Sequence, residues 1–495
     1  MRVRRAHRNQ GLLVHPLCCV RSNHRNRYVK EHGELALDAC PLSHGTYFSG
    51  GLSSMSFIDE FNSERLNRRQ FVKVAAGTTL GLAAFLAGCG GSSGGSSLNS
   101  NGSAAIEFLT VQAKNTGWAA ILSSITADYA KSHSGTTFKS NNIQQTSLNQ
   151  QVQLLAGQGA LPILYNSPSL DVMSQLEKNG EALDIESTFQ QLGVSQELLP
   201  QAVTIIKQIY NGRVLALPFE LNIEGFWYNK KIFSQNGFQP PQTFDELVQI
   251  AGNLQQKGVQ PFASSGVQGW PITRLIGNYL FRKFGPDALA RVKNGQAKLT
   301  DPSYVEAAQA VANLGKQGYF GKGVATLDYA PAETLFLQGN AAMFYMGSWA
   351  VADFVASSNK IGADNVGFFP FPNVTGGVGN SNQIAINGGQ TSSVNKAKYN
   401  ATIGQWLAYV AKNYGSVSLQ QQGVVSGFVV HNKPANLSPL TSLVLDQISK
   451  VSQPVLWFEA AFPAKATNLS QQDAAPLVTG ALAPNGFMSA VQGGL

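Results

Sequence analysis

The chain has 495 residues, of which 43% are hydrophobic and 13% charged, so it can bury a sizeable core and more than one domain is expected. Its formal net charge is +8, but 12 of the 36 Lys and Arg residues precede Cys89, against six of the 28 acidic residues. From Cys89 onward the net charge is only +2. This near-neutral part has no electrostatic footprint for nucleic acid, and we expect no nucleic-acid partner.

The segment before Cys89 has the features of an export signal. Arg68 and Arg69 lie in NRRQFVK, which is close to the twin-arginine export pattern. The uncharged run that follows, residues 74–88, has the length of a signal-peptide core and is too short for a membrane span. It ends in Leu-Ala-Gly-Cys, which resembles the bacterial lipobox. We therefore predict an extracytoplasmic protein, anchored to the cell membrane by a lipid on Cys89.

The N-terminal part of the chain divides into three predicted segments. Residues 55–89 are the twin-arginine lipoprotein signal peptide, and residues 90–103, GGSSGGSSLNSNGS, form a flexible tether. Signal peptides begin near the N-terminus, so we expect Met55 to be the true start and residues 1–54 to be a mis-called extension. A genuine extension is the alternative. The other three cysteines all precede Cys89, so the mature chain would have no disulfide.

Short apolar runs alternate with helical spacing from Ala104 onward. AAIEFLTV predicts a strand, residues 118–132 predict a helix, residues 144–157 form a second amphipathic stretch, and LPILY predicts a strand that ends near Asn166. A strand–helix–strand order indicates a parallel sheet with helices on both faces.

Later helices are predicted over residues 243–257, 304–317 and 395–413. Thr243 with Glu246 matches a capping box, and Trp406 lies in an apolar helical stripe, so we assign it to the core.

The mature chain lacks the residue patterns of most common catalytic sites. His133 and His431 are its two histidines, and it contains no GxSxG, HExxH, P-loop or GxGxxG helix start. No metal and no cofactor are therefore expected. Glu220 and Glu224 would lie about 13 Å apart in an extended segment, too far for a glycosidase pair. We predict that the protein is not an enzyme.

Aromatic and amide residues suggest a carbohydrate site instead. All six tryptophans follow Cys89, and indole faces suit the C–H faces of pyranose rings while amides and carboxylates take the hydroxyls. In open α/β sheets ligands bind beyond the carboxyl ends of strands. The residues that this rule favours are Asn115, Thr116, Asn166, Ser167, Glu220 and Asn222.

Three sequence blocks carry a family resemblance. The first begins at Leu215 and reads LALPFELNIEGFWYNKKIFSQNGFQPPQTFDEL; the second is FLQGNAAMFYMGSWA, Phe336–Ala350; the third is GFFPFPN, followed by NGG. Their order and content closely resemble the extracellular solute-binding proteins of the maltose-binding-protein type, family 1. Several cleft positions that are charged or aromatic in maltodextrin binders are amides or small residues here, so the resemblance does not indicate maltose.

The resemblance implies a periplasmic-binding-protein-like α/β fold, in which two lobes are joined by a multi-strand hinge with the ligand in the cleft. We place lobe I at residues 104–220 with 388–440, and lobe II at residues 221–387 with 441–495. It also implies a monomer that binds a small sugar or oligosaccharide and delivers it to the permease subunits of an ABC transporter.

The resemblance also assigns individual residues to ligand binding. Trp349, in GSW, matches the tryptophan that stacks on a sugar ring, and Asn222 matches a position that reaches the ligand from the hinge side. Trp270 lies in a similar Trp-Pro segment whose preceding turn touches the ligand. The other positions matched in this way are Asn115, Thr116, Asn166, Ser265, Gln268 and, more loosely, Trp457.

Two other readings remain open from the sequence. A secreted, lipid-anchored enzyme that acts on glycosides would need two carboxylates, and Glu220 with Glu459 is the candidate pair across the lobes. A ligand sensor could use the same fold. The leading prediction is a transport binding protein.

Overall fold

The computed structural model describes residues 103–112, 116–460 and 462–495. Asn115, Cys89, Arg68 and Arg69 lie outside the described residues, as do both segments predicted before the tether. The strands are β1 Ala105–Thr110, β2 Thr137–Asn142, β3 Leu164–Asn166, β4 Asn222–Asn229, β5 Gln260–Ala263, β6 Ala341–Gly347, β7 Val366–Phe369, β8 Ala385–Asn387 and β9 Ser392–Val394.

Helices surround these strands throughout the described residues. They are α1 Gly117–Ala130, α2 Leu148–Gly157, α3 Leu170–Lys178, α4 Ile185–Gln191, α5 Pro200–Ile209, α6 Lys230–Gln235, α7 Phe244–Gln256, α8 Trp270–Phe284, α9 Ala288–Lys293, α10 Pro302–Lys316, α11 Tyr329–Leu337, α12 Val351–Val355, α13 Ala401–Gln422, α14 Pro439–Lys450, α15 Ala464–Thr479 and α16 Pro484–Gln492. None of them is both long and apolar enough to cross a membrane.

The first sheet has the strand order β2-β1-β3-β9. β1 pairs in parallel with β2 and β3, which confirms the predicted parallel arrangement, and β9 closes the sheet antiparallel to β3. The sequence prediction missed β2, because its six residues, TFKSNN, are mostly polar and exposed. An edge strand of this kind shows no apolar run, and only its pairing with β1 reveals it.

The second sheet has the order β5-β6-β4-β7, with β8 also paired to β4. Here β4 is antiparallel to β6, β7 and β8, and only β5 and β6 run parallel, so the parallel arrangement is limited to part of the fold. Successive residues of β4 alternate between the faces of the sheet. Phe226 packs in the cluster with α7, α8 and α10, and Trp227 packs in the cluster with Phe354 on the other face.

A separate apolar core lies under the first sheet. It contains Phe108 of β1 and Trp406 of α13, and Trp406 is buried as predicted. The Trp406 indole Nε1 donates to Thr126 Oγ1 of α1 at 3.0 Å, which satisfies its polar atom inside the core. α13 begins at Ala401, after Asn400 caps it, and ends later than the sequence indicated. The capping box of Thr243 and Glu246 is present at α7.

The chain passes between the two sheets along antiparallel crossing segments, residues 217–222 and 387–392. They pair at Leu217 with Ser392 and at Asn222 with Asn387. Residues 425–427 run beside them, since the Leu221 amide donates to the Val425 carbonyl at 2.9 Å. These crossing segments place Glu220 and the NGG sequence between the two sheets.

Candidate functional site

A cavity of about 660 Å³ lies at the crossing segments, between the two sheets. The first-sheet side supplies Gln145 and Gln390, whose amide groups are joined by a hydrogen bond of 2.9 Å. The second-sheet side and the crossing segments supply most of the other walls. The lining is completed by Glu220, Trp270, Arg274, Trp349, Asn387, Gly389, Trp457, Glu459, Ala460, Thr467 and Gln471. Four of the residues predicted to bind a ligand therefore meet here: Glu220, Trp270, Trp349 and Trp457. Glu459, named from the sequence only as a candidate catalytic carboxylate, lies beside them.

Trp349 and Trp270 form one aromatic wall. Trp349 comes two residues after the end of β6, and its ring folds back over Gly347, where a Cβ would overlap it. Trp270 opens α8, and the two rings contact edge to face with centroids 5.8 Å apart. The Trp349 indole Nε1 donates to the Tyr329 hydroxyl at 3.3 Å. Both indoles are half-buried, so part of each ring remains available to a ligand.

Arg274 holds this wall to Trp457. It lies one helical turn after Trp270 in α8, and its guanidinium carbon is 5.3 Å from the ring centroids of both Trp270 and Trp457. A guanidinium within about 6 Å of two indole centroids is a favourable cation–π arrangement. Two tryptophans far apart in sequence are thereby fixed by one cation.

Two buried carboxylates face the same guanidinium. Arg274 Nη1 donates to Glu459 Oε2 at 2.5 Å, and Arg274 Nε forms an ion pair with Glu224 Oε2 at 2.9 Å. The second oxygen of Glu459 accepts from the Thr273 hydroxyl, and Glu224 Oε1 accepts from Asn387 Nδ2 at 3.2 Å. Burial raises the pKa of Glu224, although Arg274 opposes the shift.

Glu220 lies on the crossing segment and faces the cavity. Its Oε2 accepts from Asn222 Nδ2 at 3.3 Å, and burial raises the pKa of its carboxyl group. The side chain packs against Gly389, which has a φ of +61°, and a Cβ at that position would overlap the carboxylate. Gly389 of the NGG sequence therefore leaves the space that Glu220 fills.

Other predicted residues are engaged elsewhere in the fold. Asn166 is fully buried, where its Oδ1 accepts from the Val111 amide at 2.8 Å and its Nδ2 donates to Ser392. The Ser167 hydroxyl pairs with that of Ser393 at 2.8 Å. Neither residue lines the cavity, and both side chains bond to β9 within the first sheet.

The predicted turn before Trp270 also lies outside the cavity lining. The Ser265 hydroxyl donates to the Leu327 carbonyl at 2.9 Å and to Gln268, and Gln268 in turn donates to Asp328. These bonds fix the turn that precedes α8. Thr116 is exposed at the start of α1 and is not among the lining residues.

Asn222 lines a second, smaller cavity of about 320 Å³, which shares Glu220 and Trp349 with the first. Its Oδ1 accepts from the Ser348 hydroxyl at 3.0 Å. Asn222 therefore contacts Glu220 through its amide nitrogen, and its amide oxygen bonds the crossing segment to Ser348, just after β6.

Sequence reasoning missed Arg274 and Asn387 as site residues. The one available signal for Arg274 was its spacing of four from Trp270, which places both on one face of a helix. Asn387 was noted only as part of NGG. Among the residues that the structure describes, no three His, Cys, Asp or Glu side chains are grouped so as to hold a metal ion.

Comparison with known proteins now places the chain in a family. The model of the bacterial extracellular solute-binding protein family matches residues 113–415. The chain belongs to this family. This solute-binding protein is 31% identical over 167 residues to an uncharacterized ABC transporter extracellular-binding protein of Pyrococcus horikoshii, a match that covers 33% of the chain and 37% of the relative.

A second relative has a named ligand class. The solute-binding protein is 26% identical over 170 residues to the multiple sugar-binding protein of Streptococcus mutans, which covers 33% of the chain and 39% of the relative. The matches therefore span well under half the length of these curated relatives. A solved chitin oligosaccharide binding protein shares the fold, with a TM-score of 0.67 and 23% identity over 79% of this chain and 98% of that one.

Proposed function

We propose that this protein is an extracytoplasmic solute-binding protein of an ABC importer, and that it binds a sugar or oligosaccharide in the cavity between the two sheets. The observation that carries the proposal is the lining of that cavity. Three indoles, two carboxylates and several amides converge on one space of about 660 Å³. That volume lies within the range of about 300–1,000 Å³ usual for small-molecule sites.

The lining has the two kinds of surface that a sugar needs. Trp270, Trp349 and Trp457 present apolar faces, and an indole face excludes water from the C–H side of a pyranose ring. The amides of Gln390 and Asn387 supply donors and acceptors for hydroxyl groups. The sugar-binding relative supports the same ligand class.

The geometry favours binding over glycoside cleavage. A glycosidase needs one carboxyl group free to donate a proton and a second free to attack or to activate water. Both oxygens of Glu459 already accept bonds, from Arg274 and from Thr273. Incubation with oligosaccharides distinguishes the two functions: saturable stoichiometric binding without new reducing ends supports the carrier, and turnover supports an enzyme.

We propose that the lobes carry the two sheets, with boundaries near residues 220, 387 and 440, and that they close around the ligand. A ligand that contacts both sides only in a closed form shifts the population toward that form. Small-angle scattering should therefore show a smaller radius of gyration at saturating ligand. An unchanged radius would contradict closure.

We propose that Cys89 carries a lipid, because Leu-Ala-Gly-Cys follows an apolar run and precedes a Gly/Ser tether. A diacylglyceryl group has two acyl chains, enough for stable anchoring. Cys89→Ala should move the protein from the membrane fraction to the soluble fraction. Mass spectrometry of the native protein should find lipid on Cys89, and finding residues 1–54 attached would contradict both the processing and the predicted start.

A thermal-shift screen tests the ligand class directly. The purified protein is heated with a panel of mono- and oligosaccharides, amino acids and peptides, and a ligand that binds the folded state raises Tm because it stabilises that state by RT ln(1 + [L]/Kd). Hits are then titrated by calorimetry, with an expected stoichiometry of one per chain. If amino acids or peptides raise Tm and no sugar does, the proposed ligand class is wrong.

A further inference from the structure

Ionised side chains in and behind the cavity are mainly negative. Glu220 and Glu459 line it, Glu224 lies directly behind Arg274, and Arg274 is the one cation among the residues that line the space. The remaining polar side chains of the lining are four amides, a threonine and the indole N–H groups of three tryptophans, of which that of Trp349 donates to Tyr329. With all three carboxyl groups ionised this cluster carries a net charge of −2, and each carboxyl group that takes up a proton makes that charge less negative by one.

Two protein carboxylates already pair with the positive charge of Arg274 in this arrangement. Its Nη1 is bound to Glu459 and its Nε is paired with Glu224. The guanidinium carbon also lies 5.3 Å from the ring centroids of both Trp270 and Trp457. Arginine binds a phosphate or carboxylate most strongly through a fork of two parallel N–H groups. An anionic ligand would therefore have to compete with Glu224 and Glu459 for Arg274, the one cation among the residues that line the cavity.

The start of α8 also offers no anion site, although Trp270 brings it to the cavity wall. The Trp270 amide donates to the Gln268 carbonyl at 2.7 Å, and Pro271 has no amide hydrogen. The Ile272 and Thr273 amides both donate to the Gly269 carbonyl, at 3.0 and 3.2 Å. The donors that normally receive an anion at a helix start are therefore occupied.

Resting on the sugar site proposed above, we propose that the cleft selects its ligand by charge. It accepts neutral sugars and amino sugars, and it rejects sugars that carry a carboxylate or phosphate group. An anionic group in this cavity would lose part of its hydration, would meet only a cation that two carboxylates already pair, and would lie beside carboxylates. A neutral hydroxyl or an ammonium group can donate to the same oxygens. The expected discrimination against the anionic form is at least tenfold.

Matched sugars that differ only in charge test the proposal. The glucose series consists of glucose, glucosamine and glucuronic acid, and the galactose series of galactose, galactosamine and galacturonic acid, each as monosaccharides and as trisaccharides. Calorimetric titration at pH 7 and at low ionic strength gives the Kd ratio within each series. In every series that binds, the neutral or amino form should bind at least ten times more tightly than the uronate.

Two substitutions that change the charge equally test whether the discrimination against the uronate arises in the cleft. Glu220→Gln removes a negative charge from the cavity and should reduce the discrimination against the uronate several-fold. Glu186→Gln makes the same change on an exposed surface pair with Lys207, and should leave the Kd ratio unaltered. If the two variants change the ratio equally, the discrimination reflects overall charge and the proposal is wrong.

The outcomes separate this proposal from the one on which it rests. If sugars bind and the uronate binds as tightly as its neutral counterpart, the charge selection is wrong and the sugar site stands. If no sugar of any charge binds, both are overturned. Tight binding of the neutral form, weak binding of the uronate and a relaxed ratio in Glu220→Gln together support the selection.

Discussion

Replacing Trp349 by alanine should weaken ligand binding more than it weakens folding. The ring lies at the cavity wall, half-buried, with one hydrogen bond to Tyr329 and one edge contact with Trp270. The substitution removes the platform on which we expect a sugar ring to stack. It also opens the site to water, because the ring folds over Gly347 and a methyl group leaves that space empty.

The magnitude follows from the area that the ring and a sugar would cover. An indole face and a pyranose together remove roughly 80–100 Å² of apolar surface from water, worth about 2 kcal/mol at ~25 cal/mol per Å². Affinity should therefore fall about thirtyfold. The folded state should lose about 1–2 kcal/mol, for one hydrogen bond and one aromatic contact. A fully buried tryptophan would cost about 3–5 kcal/mol.

Calorimetric titration and urea unfolding of the same preparation measure both quantities. Trp406→Phe is the matched control, because Trp406 is buried far from the cavity lining and donates to Thr126. It should reduce the free energy of unfolding by about 1–3 kcal/mol and leave Kd unchanged. If Trp349→Ala loses more than 3 kcal/mol of stability while the folded fraction binds normally, Trp349 belongs to the core and not to the site.

Three further substitutions probe the groups behind the cavity wall. Burial, with Asp353 nearby, raises the pKa of Glu333 to about 7, so its contribution to stability should fall as pH rises from about 4.5 to 7. Glu333→Gln should accordingly stabilise the protein at pH 8 by about 1–2 kcal/mol and change little at pH 4.5, which denaturant melts at the two pH values would show. Arg274→Met leaves two buried carboxylates unpaired and should cost about 3–5 kcal/mol in urea unfolding; adding Glu459→Gln should recover part of it, and no recovery would contradict the pairing. Gly347→Ala puts a methyl group into the adjacent indole ring, so ligand titration should show affinity reduced by about 1 kcal/mol or more, and an unchanged Kd would argue against this packing.

Local signals in the sequence were sufficient for many of the elements. The capping box at Thr243 predicted the start of α7, and the apolar run before Thr110 predicted β1. These features depend on residues a few positions apart, so they can be predicted without knowledge of tertiary contacts. The edge strand β2 was missed for the opposite reason: its polar residues become a strand only by pairing with β1.

Part of the candidate site could also be predicted from the sequence. Motif blocks placed Trp349 and Trp270, and strand-end reasoning placed Glu220, and all three line the cavity. The same reasoning nominated Asn166 and Ser265, which the structure shows bonded within the protein. A polar residue after a strand can satisfy the backbone as well as a ligand, and sequence position does not distinguish the two.

The sequence by itself determined the family and the alternation of strands and helices. It also determined that one tryptophan follows β6 and another opens α8. Only the tertiary structure decided which charges meet. Arg274 and Glu459 are separated by 185 positions, and the α8 helix and the segment before α15 bring them to 2.5 Å. Buried ion pairs form where packing excludes water between elements remote in sequence. The spacing of residues along the chain therefore does not predict these contacts.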